Sequence, residues 1–169
     1  INAFAGEEQK CPFCGTEKAL STTSVGSGVT EYQLNEIYNL MDVYCHPFTS
    51  GGQEIPIQEA KLTELVTLVT NYSCGEDSCA KEANSLPLAW HEYREPGTEF
   101  IKASTDSDSI AEQLLRVYKM SPKDKKGMGE KARQWVIDNF AVEKIAKKIE
   151  KLIDDSPFVE EDLNIGKNN

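Results

Sequence analysis

Residues 65–70 read Leu-Val-Thr-Leu-Val-Thr, six consecutive apolar or β-branched positions with no alternation. A strand that is half solvated alternates apolar and polar residues. One that lacks alternation is expected to be covered on both faces, as in a parallel sheet. This run therefore constrains the whole chain, because parallel strands need helical crossovers to join them.

Crossovers are legible on either side. Thr30-Glu31-Tyr32-Gln33 has the form of a capping box, and Leu34, Ile37, Tyr38 and Met41 follow at helical spacing. Asp42-Val43-Tyr44-Cys45-His46 then reads as a short strand stopped by Pro47. Pro56 suits the first turn of a second helix, which carries Ile57, Ala60, Leu62 and Leu65. Beyond residue 70, strands are expected over 86–90 and 99–103. Asp106 caps a helix with Ile110, Leu114, Val117 and Tyr118 on one face. Ser121-Pro122-Lys123-Asp124 opens another, running through Ala132, Trp135 and Val136 towards Phe140. In a last amphipathic helix Val142, Ile145, Ile149 and Leu152 are expected to face in, and Lys144, Lys147, Lys148 and Lys151 out. A further strand is expected over 20–25, before the turn Gly26-Ser27-Gly28. The alternation predicts a Rossmann-like, doubly wound α/β sheet over residues 20–155. A polar cysteine-bearing segment over 1–19 precedes it, and an acidic tail over 156–169 follows.

Composition narrows the partners. With 18 basic and 28 acidic residues among 169, the formal charge is −10. That balance repels a phosphate backbone, and the basic runs lie among acidic neighbours, so nucleic acid is rejected. No apolar stretch reaches the roughly 20 residues of a transmembrane helix. The lysines of the last helix could face anionic lipid, making the protein peripheral to a membrane. Glu143, Glu150, Asp154 and Asp155 beside them favour a solvated face instead. Gly26-Ser27-Gly28 lacks the third glycine of a dinucleotide fingerprint, so NAD is rejected as well. Ile1 in place of a methionine predicts a fragment of a longer chain.

Five cysteines, an odd number, argue against a closed disulfide framework and for a reducing, cytoplasmic setting. Cys11-Pro12-Phe13-Cys14-Gly15 has the form of a zinc knuckle. Cys74 and Cys79 are the natural completion of a structural four-cysteine site. Against this, Cys14 precedes a strand and Cys74 follows one, which puts them at opposite edges of a parallel sheet. Three readings stay open: a zinc shared by Cys11, Cys14, Cys74 and Cys79, a Cys11–Cys14 pair completed from elsewhere, and no metal.

The loop after the 42–46 strand holds the chemistry. Gly51 and Gly52 permit close backbone approach to a ligand. Free amides around Glu54 to Ile57 offer donors and a positive dipole end to a diphosphate. Glu59 is placed to accept two hydrogen bonds from a ribose diol. An ordinary strand–helix loop with a solvated glutamate is the plainer reading.

Leu34 through Pro47 resembles the pattern "aDvfvhPS" of family-4 (group 1) glycosyltransferases, and Ile55-Pro56-Ile57-Gln58-Glu59-Ala60 resembles that family's "LPxxEA". The strand over 65–70, the Asn71-Tyr72-Ser73-Cys74-Gly75 loop and the closing helices are similar too. The likeness covers roughly residues 25–153 and is most specific over 35–75. It implies the C-terminal, nucleotide-sugar-binding half of a retaining GT-B enzyme. Such an enzyme transfers a sugar from a nucleotide-diphosphate donor to a glycan, lipid or other acceptor. By position, Glu59 would hold the ribose. Ser50, Gly51, Gly52, Gln53, Glu54 and Ile55 would surround sugar and diphosphate, with His46 at the cleft edge. No catalytic metal is implied. Two departures stand out. Gly51 occupies the place of the family's first glutamate, for which the nearby Glu54 would substitute as the catalytic carboxylate. The family's diphosphate-holding Arg and Lys have no counterpart in residues 1–20, which contain only Lys10 and Lys18. The acceptor-binding N-terminal domain is absent as well, so the chain alone is expected to bind donor weakly without turnover. The competing expectations are a non-catalytic nucleotide-sugar-binding module and a zinc-organised interaction domain on the same fold.

Overall fold

The computed structural model describes residues 29–156 and two short strands, β1 (Glu8–Gln9) and β2 (Ala19–Leu20). These two pair antiparallel as a separate ladder. Leu20, the first residue of the expected 20–25 strand, thus pairs outside the parallel sheet. Cys11, Cys14 and the expected run over 21–25 lie outside the described residues, as does the tail after Ser156.

Helix α1 (Glu31–Asn39) starts where the capping box put it: Thr30 Oγ1 accepts from the Gln33 amide at 3.3 Å, and Gln33 Oε1 accepts from the Thr30 amide at 2.9 Å. Met41 falls beyond its end and is half-exposed. Strand β3 (Val43–His46) leads to α2 (Ile55–Leu62), β4 (Val66–Thr70), α3 (Cys74–Cys79) and β5 (Leu86–Leu88). The three strands are parallel in the order β3-β4-β5, with Val43 opposite Val66 and Leu68 opposite Leu86. The described sheet thus runs in sequence order, without the reversal of a doubly wound sheet. Every residue of β4 is buried, as its lack of alternation requires.

Pairing register puts Val43, Cys45, Val66, Leu68, Leu86 and Leu88 on one face, where Val117 of α4 (Ser107–Lys119) covers them. Tyr44, His46, Thr67 and Val69 take the other face. On that side Tyr38 of α1 and Ala60 of α2 cluster with Leu65 and Tyr44. Leu65 belongs to neither α2 nor β4 but to the turn between them, where Glu64 has φ 61°. Leu62, the last residue of α2, is partly exposed.

Residues 86–90 do not form one strand. The Ala89 amide donates to Ser109 Oγ, and its carbonyl accepts from the Asp106 amide, both at 2.9 Å. The start of α4 therefore captures Ala89 and ends the ladder at Leu88. From Trp90 the chain forms an antiparallel hairpin, β6 (Trp90–Arg94) with β7 (Ile101–Thr105).

Asp106 caps α4 by accepting from the amides of Asp108 at 2.8 Å and Ser109 at 3.4 Å. Tyr118 points to solvent rather than sharing the face of Val117. Ser121 caps α5 (Pro122–Phe140), which lies along α2. Helix α6 (Val142–Asp154) departs from expectation: none of its residues is buried, and Val142 and Leu152 are 78% and 71% exposed. Its main neighbour is α5, so among the described residues no second layer covers its apolar stripe. Among those residues no helix is long and apolar enough to cross a membrane.

Candidate functional site

The carboxyl ends of β3, β4 and β5 gather four segments: the 47–54 loop, the start of α3, the β6–β7 hairpin and the cap of α4. The loop is tied from three sides. Thr70 Oγ1, at the end of β4, accepts from the Phe48 amide at 3.1 Å. The Ala103 amide of β7 donates to Thr49 O at 2.9 Å, and Ser73 Oγ donates to Gly51 O at 2.7 Å. Ser73 holds this place at φ 55°, a left-handed backbone that a non-glycine residue adopts at a cost. Gly75 follows under steric demand, since a Cβ there would stand 2.0 Å from Thr70 O and 3.0 Å from the Phe48 ring. Thr70 and Thr105 hydroxyls meet at 2.6 Å, and the Trp90 indole donates to Asn71 O at 2.7 Å. These contacts lock the hairpin onto the loop cluster.

Within this frame His46 and Glu54 come together, with Nε2 and Oε2 3.1 Å apart. Both side chains are mostly buried. The other imidazole nitrogen, Nδ1, lies 3.1 Å from the Tyr44 hydroxyl. Glu54 is the residue before α2, yet its carboxylate does not cap that helix. The carboxylate turns back over Gly51, where a Cβ would stand 2.2 Å from Glu54 Oε1. Gly51 is needed here for clearance rather than for an unusual backbone angle.

The amides expected around Glu54 to Ile57 are fewer than four. Pro56 has none, and the Ile57 amide is spent on Glu54 O at 3.1 Å. Those of Gly51, Gly52, Gln53 and Ile55 have no acceptor among the described residues. Exposed Ser50 and Gln53 lie beside them.

Glu59 is not in this cluster. Five residues along α2 turn it away from Glu54 into a cleft of about 280 Å³ between α1 and α2, lined by Glu31, Leu34, Asn35, Tyr38 and Thr63 among others. Its Oε2 accepts from the Tyr38 hydroxyl at 2.9 Å. Burial, and then this hydrogen bond, push the Tyr38 phenol well above its ordinary range, so it is a protonated donor. An aromatic ladder connects the two carboxylates: Tyr38 meets Tyr44 edge-on at 5.7 Å, Tyr44 stacks on His46 at 5.6 Å, and His46 lies 5.6 Å from Phe48.

The two described cysteines of the candidate zinc set have different neighbours. Cys74 lines a small cavity with Glu54, Gln53, Trp135 and Phe140. Burial pushes its thiol up, with the Glu54 backbone N–H acting in the opposite sense. Cys79 contacts Val69 O at 3.5 Å and is pushed up to about 11, mainly by burial. Nearby, the fully buried Lys61 donates to Ser78 O at 3.1 Å and Ala83 O at 2.9 Å, with the Trp135 ring 4.5 Å from its Nζ.

Tyr38, Tyr44, Thr70, Ser73 and Lys61 belong to this region but were not singled out from sequence. For one pair a signal existed: Tyr44 and His46 alternate, and period two places their rings on one side of β3. Comparison with family models, curated proteins and solved structures finds no match for this chain.

Proposed function

We propose that this chain is the donor-binding half of a retaining glycosyltransferase of the GT-B kind, its α/β unit being the Rossmann-like C-terminal half of that fold. The observation that carries this reading is the loop 51–54. It offers the amides of Gly51, Gly52 and Gln53, which have no acceptor among the described residues, at the carboxyl edge of a parallel sheet, next to a proline-started helix, with the mostly buried Glu54 carboxylate on one side and Glu59 about 7 Å further along the helix. A nucleotide-diphosphate sugar has matching parts: a ribose diol for Glu59, a diphosphate for the amides, and sugar hydroxyls for Glu54. Charge on the leaving diphosphate is offset by amides and the helix dipole, without a catalytic metal. The acceptor would come from a preceding N-terminal domain.

Titration calorimetry with UDP, GDP and ADP and their hexose conjugates tests this. One of these donors is expected to bind, and Glu59→Ala to lose about 1–3 kcal/mol, the range for charged hydrogen bonds. Unchanged affinity in that variant overturns the assignment of Glu59.

A further inference from the structure

An ionised carboxylate can only accept hydrogen bonds, so the proton between His46 and Glu54 belongs to Nε2. In the neutral imidazole Nδ1 is then an acceptor, and the Tyr44 hydroxyl donates to it. Tyr44, His46 and Glu54 thus form a one-way relay in which each member orients the next. Its end point is unusual for a residue preceding a helix. A carboxylate there normally accepts from the first-turn amides. That of Glu54 makes no such bond and is held over the one residue of the loop, Gly51, whose missing side chain leaves it room. Oε2 is occupied by His46, while Oε1 has no donor among the described residues and faces the glycine loop.

We infer that Tyr44 and His46 are positioning residues. They hold Glu54 over Gly51 so that its Oε1 accepts hydroxyls from the sugar of a nucleotide-diphosphate sugar. Gly51 and Glu54 are a matched pair: the glycine supplies the volume and the glutamate the charge. This rests on the reading above and adds what aims the carboxylate.

The pair makes a sharp prediction, because the atom that an alanine methyl at position 51 would strike is the far end of a flexible side chain, not backbone. Gly51→Ala should displace the carboxylate and leave the fold intact. Calorimetry with UDP against UDP-glucose, GDP against GDP-mannose and ADP against ADP-glucose reads the affinity increment due to the sugar. Gly51→Ala, Tyr44→Phe and Glu54→Gln are expected to reduce that increment at least fivefold, and Tyr44→Phe, which lies outside the loop, to hold nucleoside diphosphate affinity within twofold. His46→Gln, whose amide can still donate to Glu54, should retain more of it than His46→Ala. Independently of any ligand, imidazole ¹⁵N shifts should report the Nε2–H tautomer in the wild type and a mixture in Tyr44→Phe. A wild-type Nδ1–H tautomer, or a ring protonated on both nitrogens, overturns the relay, even if a variant fails to fold. A sugar increment unmoved by all three substitutions, or absent from a wild type that binds diphosphates, overturns the role of Glu54 and leaves nucleotide binding standing. No binding of any of these nucleotides overturns both.

Discussion

The Tyr38 hydroxyl donates to Glu59 Oε2 at 2.9 Å, joining α1 to α2 across the floor of the cleft between them. The ring is buried in the cluster with Ala60 and Leu65, so Tyr38→Phe removes the bond and keeps the packing. The variant is expected to lose about 0.5–1.5 kcal/mol of stability in denaturant melts. Nucleotide affinity should fall a few-fold, less than in Glu59→Ala, because the carboxylate persists without its orienting partner. Full affinity in Tyr38→Phe would show that the ligand orients Glu59 unaided.

Lys61 predicts a pH dependence whose sign is set by burial. Loss of hydration lowers its ammonium from 10.5 to about 8 in the folded chain, with the Cys79 thiol acting in the opposite sense. Between about 8 and 10.5 the unfolded chain holds a proton that the folded one releases, so this group's contribution to stability rises with pH across that window. Below it, the group is charged in both states and its penalty is constant. The cysteines act oppositely, since burial raises Cys45, Cys74 and Cys79 and their contribution falls as pH rises. Comparing wild type with Lys61→Met cancels Cys45 and Cys74, on which Lys61 does not act. The wild type should gain on the variant by up to about 3 kcal/mol between pH 8 and 10.5 in urea denaturation. A difference that is flat with pH would mean that the ammonium is hydrated.

Two glycines of α5 should respond in opposite directions to alanine. A Cβ at Gly129 would stand 2.0 Å from Glu64 O and 2.7 Å from Glu64 C, all rigid backbone of the α2–β4 turn. Gly129→Ala must push α5 off α2 and is expected to cost about 1–3 kcal/mol. At Gly127 a Cβ meets nothing within 4 Å, and Gly127→Ala should stabilise by about 0.5–1 kcal/mol through helix propensity. Thermal melts of the two variants check the pair. A loss at both positions would mean that the approach of α5 to the Glu64 turn is not what separates them.

The exposed stripe on α6 offers a contrast with the core. Replacing Leu152 by Gln should change stability by less than about 0.5 kcal/mol, as for surface positions, because the side chain is 71% exposed. The equivalent change at Leu68 should prevent folding, since that residue is fully buried between β4's neighbours and α4. A large loss at Leu152 would place a cover over α6.

Local chemistry carried much of the architecture in the sequence alone. The capping box at Thr30, the caps at Asp106 and Ser121, Pro56 at the start of α2 and the unbroken run of β4 each act within a few residues, so their elements are where the sequence puts them. The loop at Gly51 and the residues His46, Glu54 and Glu59 were equally visible as a segment. What decided their arrangement was contact between parts far apart in the chain. Capture of Ala89 by the start of α4 ended β5 and released a hairpin that no local pattern distinguishes from a continued strand. The stripe on α6 shows the same limit from the other side, because an amphipathic pattern states that a face needs cover but not whether the described chain provides it. Above all, Glu54 and Glu59 read as parts of one donor-binding segment, yet the structure parts them. One goes to His46 over Gly51 and the other to Tyr38, since a carboxylate taken from water settles where tertiary structure brings it a donor.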